Sequence, residues 1–410
     1  MRKLLSKTGA GFMVAATGIG AGDMIAASVA GSRFGVLILW AVLLGGLIKF
    51  ALNEGLARWQ LATGSTLIEG WLRKLPKVVS GYFLLYLFFW GFLVAGTLIS
   101  FCGLVAHAIF PLGSLSDKAS IAIWGALHSL VAVGLLHRGG YQLIENIMKL
   151  FVGGMFLVVL ISAVMVCPDW SEVLISLVLP RIPDDLQSIT FILALMGGVG
   201  GSVTILCYAY WLRESRGAEP LSLFDIRFDL GLAYLLTVLF GLAVVVVSAG
   251  VNPDVVKGYG MIQGIADKLS EPLGSVGKWS FLIGFWGAVF SSMLGVWNGI
   301  PYLFADFRRH YQGGTVASEP ISIRSGSYRF FLYYLAFPPI LLCLFEKPVW
   351  IGIAYSVAGA FFMPFLAAVL LYMNNQRGWM GIHRNHWLVN LLLVGALVLF
   401  LLLFLQKVVG

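Results

Sequence analysis

Apolar residues in this chain come in long unbroken blocks, not in the one-sided stripes of a soluble helix or strand. Eleven blocks lie near 9–31, 34–57, 79–110, 118–136, 142–167, 188–212, 224–250, 277–304, 329–346, 349–374 and 387–407. About 20 residues cross the hydrocarbon core of a bilayer as a helix, so each block predicts a membrane-spanning helix. The longest connections, 251–276 and 305–328, leave no room for a separate soluble domain.

Two blocks stand apart. The first carries Thr17-Gly18-Ile19-Gly20-Ala21-Gly22-Asp23 at its middle, and the sixth carries Gly197-Gly198-Val199-Gly200-Gly201-Ser202. Each glycine costs a helix about 1 kcal/mol relative to alanine, so both clusters invite local unwinding. Unwound backbone inside a membrane is tolerated only where it is buried in protein or lines a cavity. The clusters lie five helices apart, the spacing of an inverted repeat with one broken helix opening each half. That divides the chain into 1–170, 171–375 and an additional helix within 376–410. The blander account makes the glycines close helix-packing positions.

Composition narrows the class. Of 410 residues 59% are hydrophobic and 11% charged, too little charge to cover a soluble domain of this size. The net charge of +8 does not indicate nucleic acid, because the basic residues sit in short loops between apolar blocks. With the N-terminus in the cytoplasm, inner loops hold about 17 Lys and Arg and outer loops about 8, which orients the C-terminus outside. Met1 to Lys7 with the apolar run after it looks like a signal peptide, but the run continues to Ala30 without a cleavage site and reads as the first membrane helix. Cys102, Cys167, Cys207 and Cys343 are scattered and read as apolar packing residues. Short loops without disulfide-suited cysteines point to a bacterial inner membrane.

Several short runs look familiar in order and spacing. Gly9-Ala10-Gly11-Phe12 opens the first block and Ala30-Gly31-Ser32-Arg33-Phe34-Gly35 follows it. Leu56-Ala57-Arg58-Trp59-Gln60-Leu61-Ala62-Thr63-Gly64 and Ser291-Ser292-Met293-Leu294-Gly295 come later. Together these resemble the NRAMP family of divalent-metal transporters over nearly the full chain. The resemblance implies an all-α polytopic membrane protein of the leucine-transporter (LeuT) fold: two five-helix inverted repeats, helices 1 and 6 broken, and here one extra helix. It does not bring the family's metal chemistry. Where NRAMP proteins have Asp-Pro-Gly-Asn in helix 1, this chain reads Gly20-Ala21-Gly22-Asp23. Where they have Met-Pro-His in helix 6, it reads Gly201, Ser202 and Val203, and Gly359 stands for a frequent helix-10 glutamine. Helix 3 lacks the carboxylates of the family's proton route. Thioether and imidazole select transition ions, and both are gone.

Gly18-Ile19-Gly20-Ala21-Gly22 instead resembles the helix-1 glycine run of amino-acid permeases, where exposed amides bind the substrate carboxylate. The chemistry is sound: unwound backbone frees N–H donors and a half-helix N-terminus adds partial positive charge. The expected substrate site is therefore Gly18, Gly20, Ala21, Gly22, Asp23, Gly197, Gly198, Gly200, Gly201, Ser202 and Thr204. Asp23, ionisable inside a membrane helix, reads either as a binding residue or as an N-cap of the second half-helix. Ser291 and Ser292 are candidate ligands of a coupling cation, or hydroxyls bonded to their own helix. Tyr208, Tyr210 and Gly359 are candidate pathway residues. Glu54–Arg58 and Glu145–Lys149 are i,i+4 pairs, and Lys49 reads as snorkelling or pairing with an acid elsewhere. His107 and His128 read as hydrogen-bonded structural residues.

No phosphate loop, zinc motif or nucleophile elbow appears, so no enzyme is expected and no cofactor beyond a coupling Na+ or H+. The expected function is secondary active transport of a small amino acid or other zwitterion, with the lipid bilayer as the other partner. Two alternatives stand beside it: a divalent-metal symporter of Mn2+ or Mg2+ type with Asp23 as its charged ligand, and a non-transporting membrane sensor.

Overall fold

The computed structural model describes residues 9–138, 141–166, 169–185, 187–216, 222–249, 260–313, 321–345 and 347–409. The first expected span is two helices, α1 (Gly9–Gly18) and α2 (Ala21–Phe34). A single 3-10 turn, Gly35–Ile38, links α2 to α3 (Leu39–Thr63). Then follow α4 (Leu67–Lys74), α5 (Lys77–Ile109), α6 (Asp117–Arg138), α7 (Tyr141–Val166) and α8 (Trp170–Val178). The sixth span is α9 (Ser188–Gly198), a 3-10 stretch Val203–Cys207 and α10 (Tyr208–Arg216). The rest comprises α11 (Leu223–Ser248), α12 (Gly260–Tyr311), α13 (Gly326–Ala336), α14 (Pro348–Met373), the short α15 (Arg377–Met380) and α16 (Trp387–Val409).

Among the described residues ten helices are long and apolar enough to cross a membrane, with Gly9–Gly18 a shorter apolar helix beside them. Each of the eleven expected blocks is helical. Several connections hold unexpected helices, among them α4 and α15. The stretch 251–276, read as a loop, is helical from Gly260 and enters the eighth span through a non-helical Gly274 with φ of 61°. The connection after α7 holds α8, whose N-cap Asp169 accepts from the N–H groups of Ser171 and Glu172. Short amphipathic pieces carry no long apolar run, so block length could not reveal them.

Helix α12 packs on α7 and α5, α9 on α14, and α11 on α3 and α2. The broken helices lie inside this arrangement: α1 touches α11, α12 and α10, and α2 touches α11, α9 and α14. The outer helices face the other way. Leu85, Phe89, Leu150, Leu391 and Leu401 are exposed, which water would penalise and lipid does not. Helices α5 and α6 meet at glycine: a Cβ on Gly125 would lie 2.5 Å from the Ile99 carbonyl oxygen. Gly134, on the same helix, has open space around it.

Overpacking a close helix contact costs about 1–3 kcal/mol. Gly125→Val should therefore lower the melting temperature of the detergent-purified protein, and Gly134→Val should leave it unchanged. A differential scanning measurement of the two variants checks this.

Candidate central site at the two helix breaks

The first break begins where α1 ends. The Gly20 amide turns back to Gly18 O at 2.9 Å, and Gly20 stands as N-cap of α2 with no side-chain cap. The Met24 amide then bonds Gly20 O at 3.0 Å, which leaves the first N–H groups of α2 without acceptors inside their own helix. The N-cap role considered for Asp23 thus belongs to Gly20, and Asp23 is in the first turn. Ala21, Gly22 and Asp23 are described by backbone alone; the Asp23 side chain lies outside the described residues.

The second break follows α9. Gly200 and Gly201 have φ of 81° and 73°, a left-handed conformation that side chains with a Cβ rarely adopt. Four residues of irregular chain, 199–202, separate α9 from the 3-10 stretch. The two breaks touch. A Cβ on Gly18 would lie 2.9 Å from the Gly200 carbonyl carbon and 3.0 Å from the Gly201 nitrogen.

The carbonyls freed at these breaks are met by the chain's own donors. Lys49 of α3 is wholly buried, and its ammonium donates to Gly197 O at 3.0 Å and also to Val199 O. Of the two readings of Lys49, snorkelling or pairing with an acid elsewhere, snorkelling does not occur: the stem runs inward past Gly200, where a Cβ would lie 3.4 Å from Lys49 Cδ and 3.2 Å from a Tyr234 ring carbon. Four residues on, the Asn53 amide donates to the Tyr234 hydroxyl at 3.2 Å. At the first break Ser292 Oγ donates to Thr17 O at 2.7 Å, across to α1. Ser291 Oγ bonds its own helix at Ala288 O, 2.9 Å away. The serine pair thus splits, one hydroxyl reaching the break and the other not.

On the α14 side, Gly359 abuts Ser202, whose Oγ would lie 2.7 Å from a Cβ added there. The hydroxyls of Ser202 and Ser356 are buried without a hydrogen-bond partner among the described residues. Gly197 packs on the Ser356 carbonyl, and Thr204 Oγ1 fills the space a Cβ on Gly201 would need. Gly198 ends α9 just before the irregular stretch.

Tyr208 and Tyr210 are buried and bonded. Tyr208 donates to Asp229 of α11 at 3.0 Å, and the same carboxylate accepts the Gly11 amide of α1 at 2.8 Å. Tyr210 donates to Asp306 at 2.6 Å, which also accepts Thr66 Oγ1 at 2.5 Å. Arg309 and His310 complete that cluster at 3.1 and 3.2 Å from Asp306. Glu54 pairs with Arg58 at 3.1 Å and with Arg227 at 2.9 Å, and Glu145 with Lys149 at 2.5 Å. His107 bonds Ser120, and His128 bonds the Trp124 carbonyl and the Trp286 indole. Cys102, Cys207 and Cys343 are buried free thiols; Cys167 lies outside the described residues. Among the described residues no three His, Cys, Asp or Glu side chains cluster to hold a metal ion.

A family model described as "Natural resistance-associated macrophage protein-like" (Nramp) matches residues 11–410. The chain belongs to the Nramp family, a family of membrane transporters. An Nramp relative, the divalent metal cation transporter MntH of Acidiphilium cryptum (strain JF-5), is 28% identical over 185 residues, 45% of this chain and 40% of that one. An uncharacterized protein of Pasteurella multocida (strain Pm70) is 23% identical over 280 residues, 66% of this chain. The matches therefore span 63% and 40% of those relatives' lengths. Among solved structures, a mutant of the Eremococcus coleocola manganese transporter superposes with a TM-score of 0.75 at 16% identity, covering 98% of this chain and 86% of that one. MhsT in complex with L-phenylalanine gives 0.65 at 18%, covering 97% and 98%. These superpositions fix the fold as that of the Nramp and LeuT-type transporters.

The sequence reading missed Asp229 and Tyr234. An acidic residue inside an apolar block was the available signal for Asp229. Removing that carboxylate strands a buried amide and hydroxyl, at about 1–3 kcal/mol. Asp229→Ala should raise amide hydrogen exchange across residues 9–18 by about fivefold to 150-fold while exchange in α5 stays unchanged. Exchange measured by mass spectrometry on the purified variant checks it.

Proposed function

We propose that this Nramp-family chain is a secondary active transporter of a small amino acid or similar zwitterion, coupled to Na+ or H+, with its site where the two breaks meet. One observation carries the reading: carbonyls at both breaks are engaged by the chain's own donors, while α2 starts at a glycine that gives its first N–H groups no side-chain cap. Lys49 serves Gly197 and Val199, and Ser292 serves Thr17. The start of α2 has no side-chain cap and carries the positive end of its helix dipole. A carboxylate fits such a place. A bare divalent ion would meet an ammonium and carbonyls already engaged.

The remaining side chains agree with a polar organic cargo. Gly201, Ser202 and Val203 supply no thioether or imidazole, and the buried Ser202 and Ser356 hydroxyls have hydrogen-bonding capacity to spare. The rest of the proposed site is Gly18, Gly20, Ala21, Gly22, Asp23, Gly198, Gly200 and Thr204, with Asp23 as counter-charge to a substrate ammonium. In this reading the repeats 1–170 and 171–375 supply the moving and fixed parts of alternating access. The protein sits in a bacterial inner membrane with its N-terminus inside.

Family membership favours a second reading. Two of the proteins named above are a divalent metal cation transporter and a manganese transporter, so a metal symporter with Asp23 as its charged ligand is the competitor.

Proteoliposome flux separates the two. The wild type should take up a radiolabelled small amino acid and leave Mn2+ outside. Gly200→Val, forced out of its left-handed backbone, should reduce that uptake at least about tenfold while remaining monodisperse. Mn2+ uptake lost in Asp23→Ala, with no amino-acid flux, would replace this reading with the metal one.

A further inference from the structure

Lys49 is a wholly buried lysine inside a membrane-spanning helix. It has no exposed surface, it starts on α3, and its ammonium ends at the C-terminal end of α9, between Gly197 O and Val199 O. The last carbonyls of a helix lack intrahelical donors and carry partial negative charge. In broken membrane helices such carbonyls are the natural seat of an inorganic cation. Here the seat is filled by a cation on a four-carbon tether. Tyr234 and Thr237 close around the same place: a Cβ on Gly200 would lie 3.2 Å from a Tyr234 ring carbon and 3.5 Å from Thr237 Cγ2.

We infer that Lys49 is a built-in substitute for a bound cation, and that it sets the ion specificity of this transporter by excluding monovalent and divalent ions from the helix-6 break. Two requirements of such a seat are met by one side chain. The ammonium neutralises the freed carbonyls, so the break stays formed with no ion bound. Its positive charge also keeps a second cation away at short range, where a low dielectric screens little. The inference rests on the reading of the breaks as the central site, and it holds for either cargo in one respect: no ion is seated on Gly197 O and Val199 O while Lys49 is present.

The test compares the full-length wild type, Lys49→Met and Lys49→Arg in detergent. Melting temperature is read in NaCl, KCl and MnCl2 against choline chloride at equal ionic strength. Lys49→Met keeps most of the stem and removes the charge. It should melt lower than the wild type in choline and gain about 2 °C or more in at least one of the three salts. The wild type and Lys49→Arg should show no such gain from Na+ or K+. No salt response in a monodisperse Lys49→Met would overturn the proposal, because the vacated carbonyls would then not be a cation seat. If Lys49→Met does not fold, wild-type crystals soaked in RbCl or MnCl2 decide. An anomalous peak within ligand distance of Gly197 O and Val199 O overturns exclusion, and density for the ammonium alone there supports it. Failure of amino-acid flux with these results intact would reopen the cargo and leave the role of Lys49 standing.

Discussion

A peptide group freed from its helix inside a membrane has no water to bond, and the centre of this protein is built around that constraint. Two helices break at mid-span, and each break releases carbonyls at one half-helix end and amides at the other. The carbonyls are answered from outside their own helices. Lys49 reaches in from α3 to Gly197 and Val199, and Ser292 reaches across from α12 to Thr17. Without those donors the freed carbonyls would be buried and unsatisfied. With them, the irregular backbone is held, and α2 begins at Gly20 without a side-chain cap.

The surrounding architecture serves the same end. Glycines let the two irregular stretches touch, Gly18 against Gly200 and Gly201, with the left-handed backbone at 200 and 201 turning the chain between α9 and the 3-10 stretch. Polar ties then hold the half-helices. Asp229 joins α1 to α10 through Gly11 and Tyr208, and Asp306 joins α10 to Thr66 beside α4. Each tie is a buried carboxylate meeting neutral donors on another element. Such links are discrete: they are made or broken.

Much of this was legible in the chain. Apolar block length located every span, because a membrane demands it. The paired glycine runs located both breaks, because glycine weakens a helix and permits positive φ. The short runs near the first, second and eighth spans were enough to indicate the family. What escaped was tertiary. Lys49 read as either snorkelling or pairing with an acid elsewhere, because block periodicity does not say which way a flexible stem turns. Asp229 and Tyr234 sit in an ordinary apolar block and gain meaning only from the helix facing them. Ser291 and Ser292 are neighbours with opposite roles, since adjacent positions on a helix point about 100° apart. Helices α4 and α8 are short and amphipathic, so no hydrophobic run announced them. The family resemblance supplied the fold but not the cargo, since the residues of the metal motifs are the ones that differ.

The central claim is that the breaks present donors and withhold acceptors. A thermal-shift screen of the purified protein tests it most directly, with divalent metals and the common amino acids each offered with and without sodium. A ligand that binds the folded state alone raises its stability by about 2.7 kcal/mol at a hundredfold excess over its dissociation constant. The account predicts stabilisation by one class of amino acid and none by Mn2+. Stabilisation by divalent metals alone would contradict it and return the chain to the metal chemistry of its relatives.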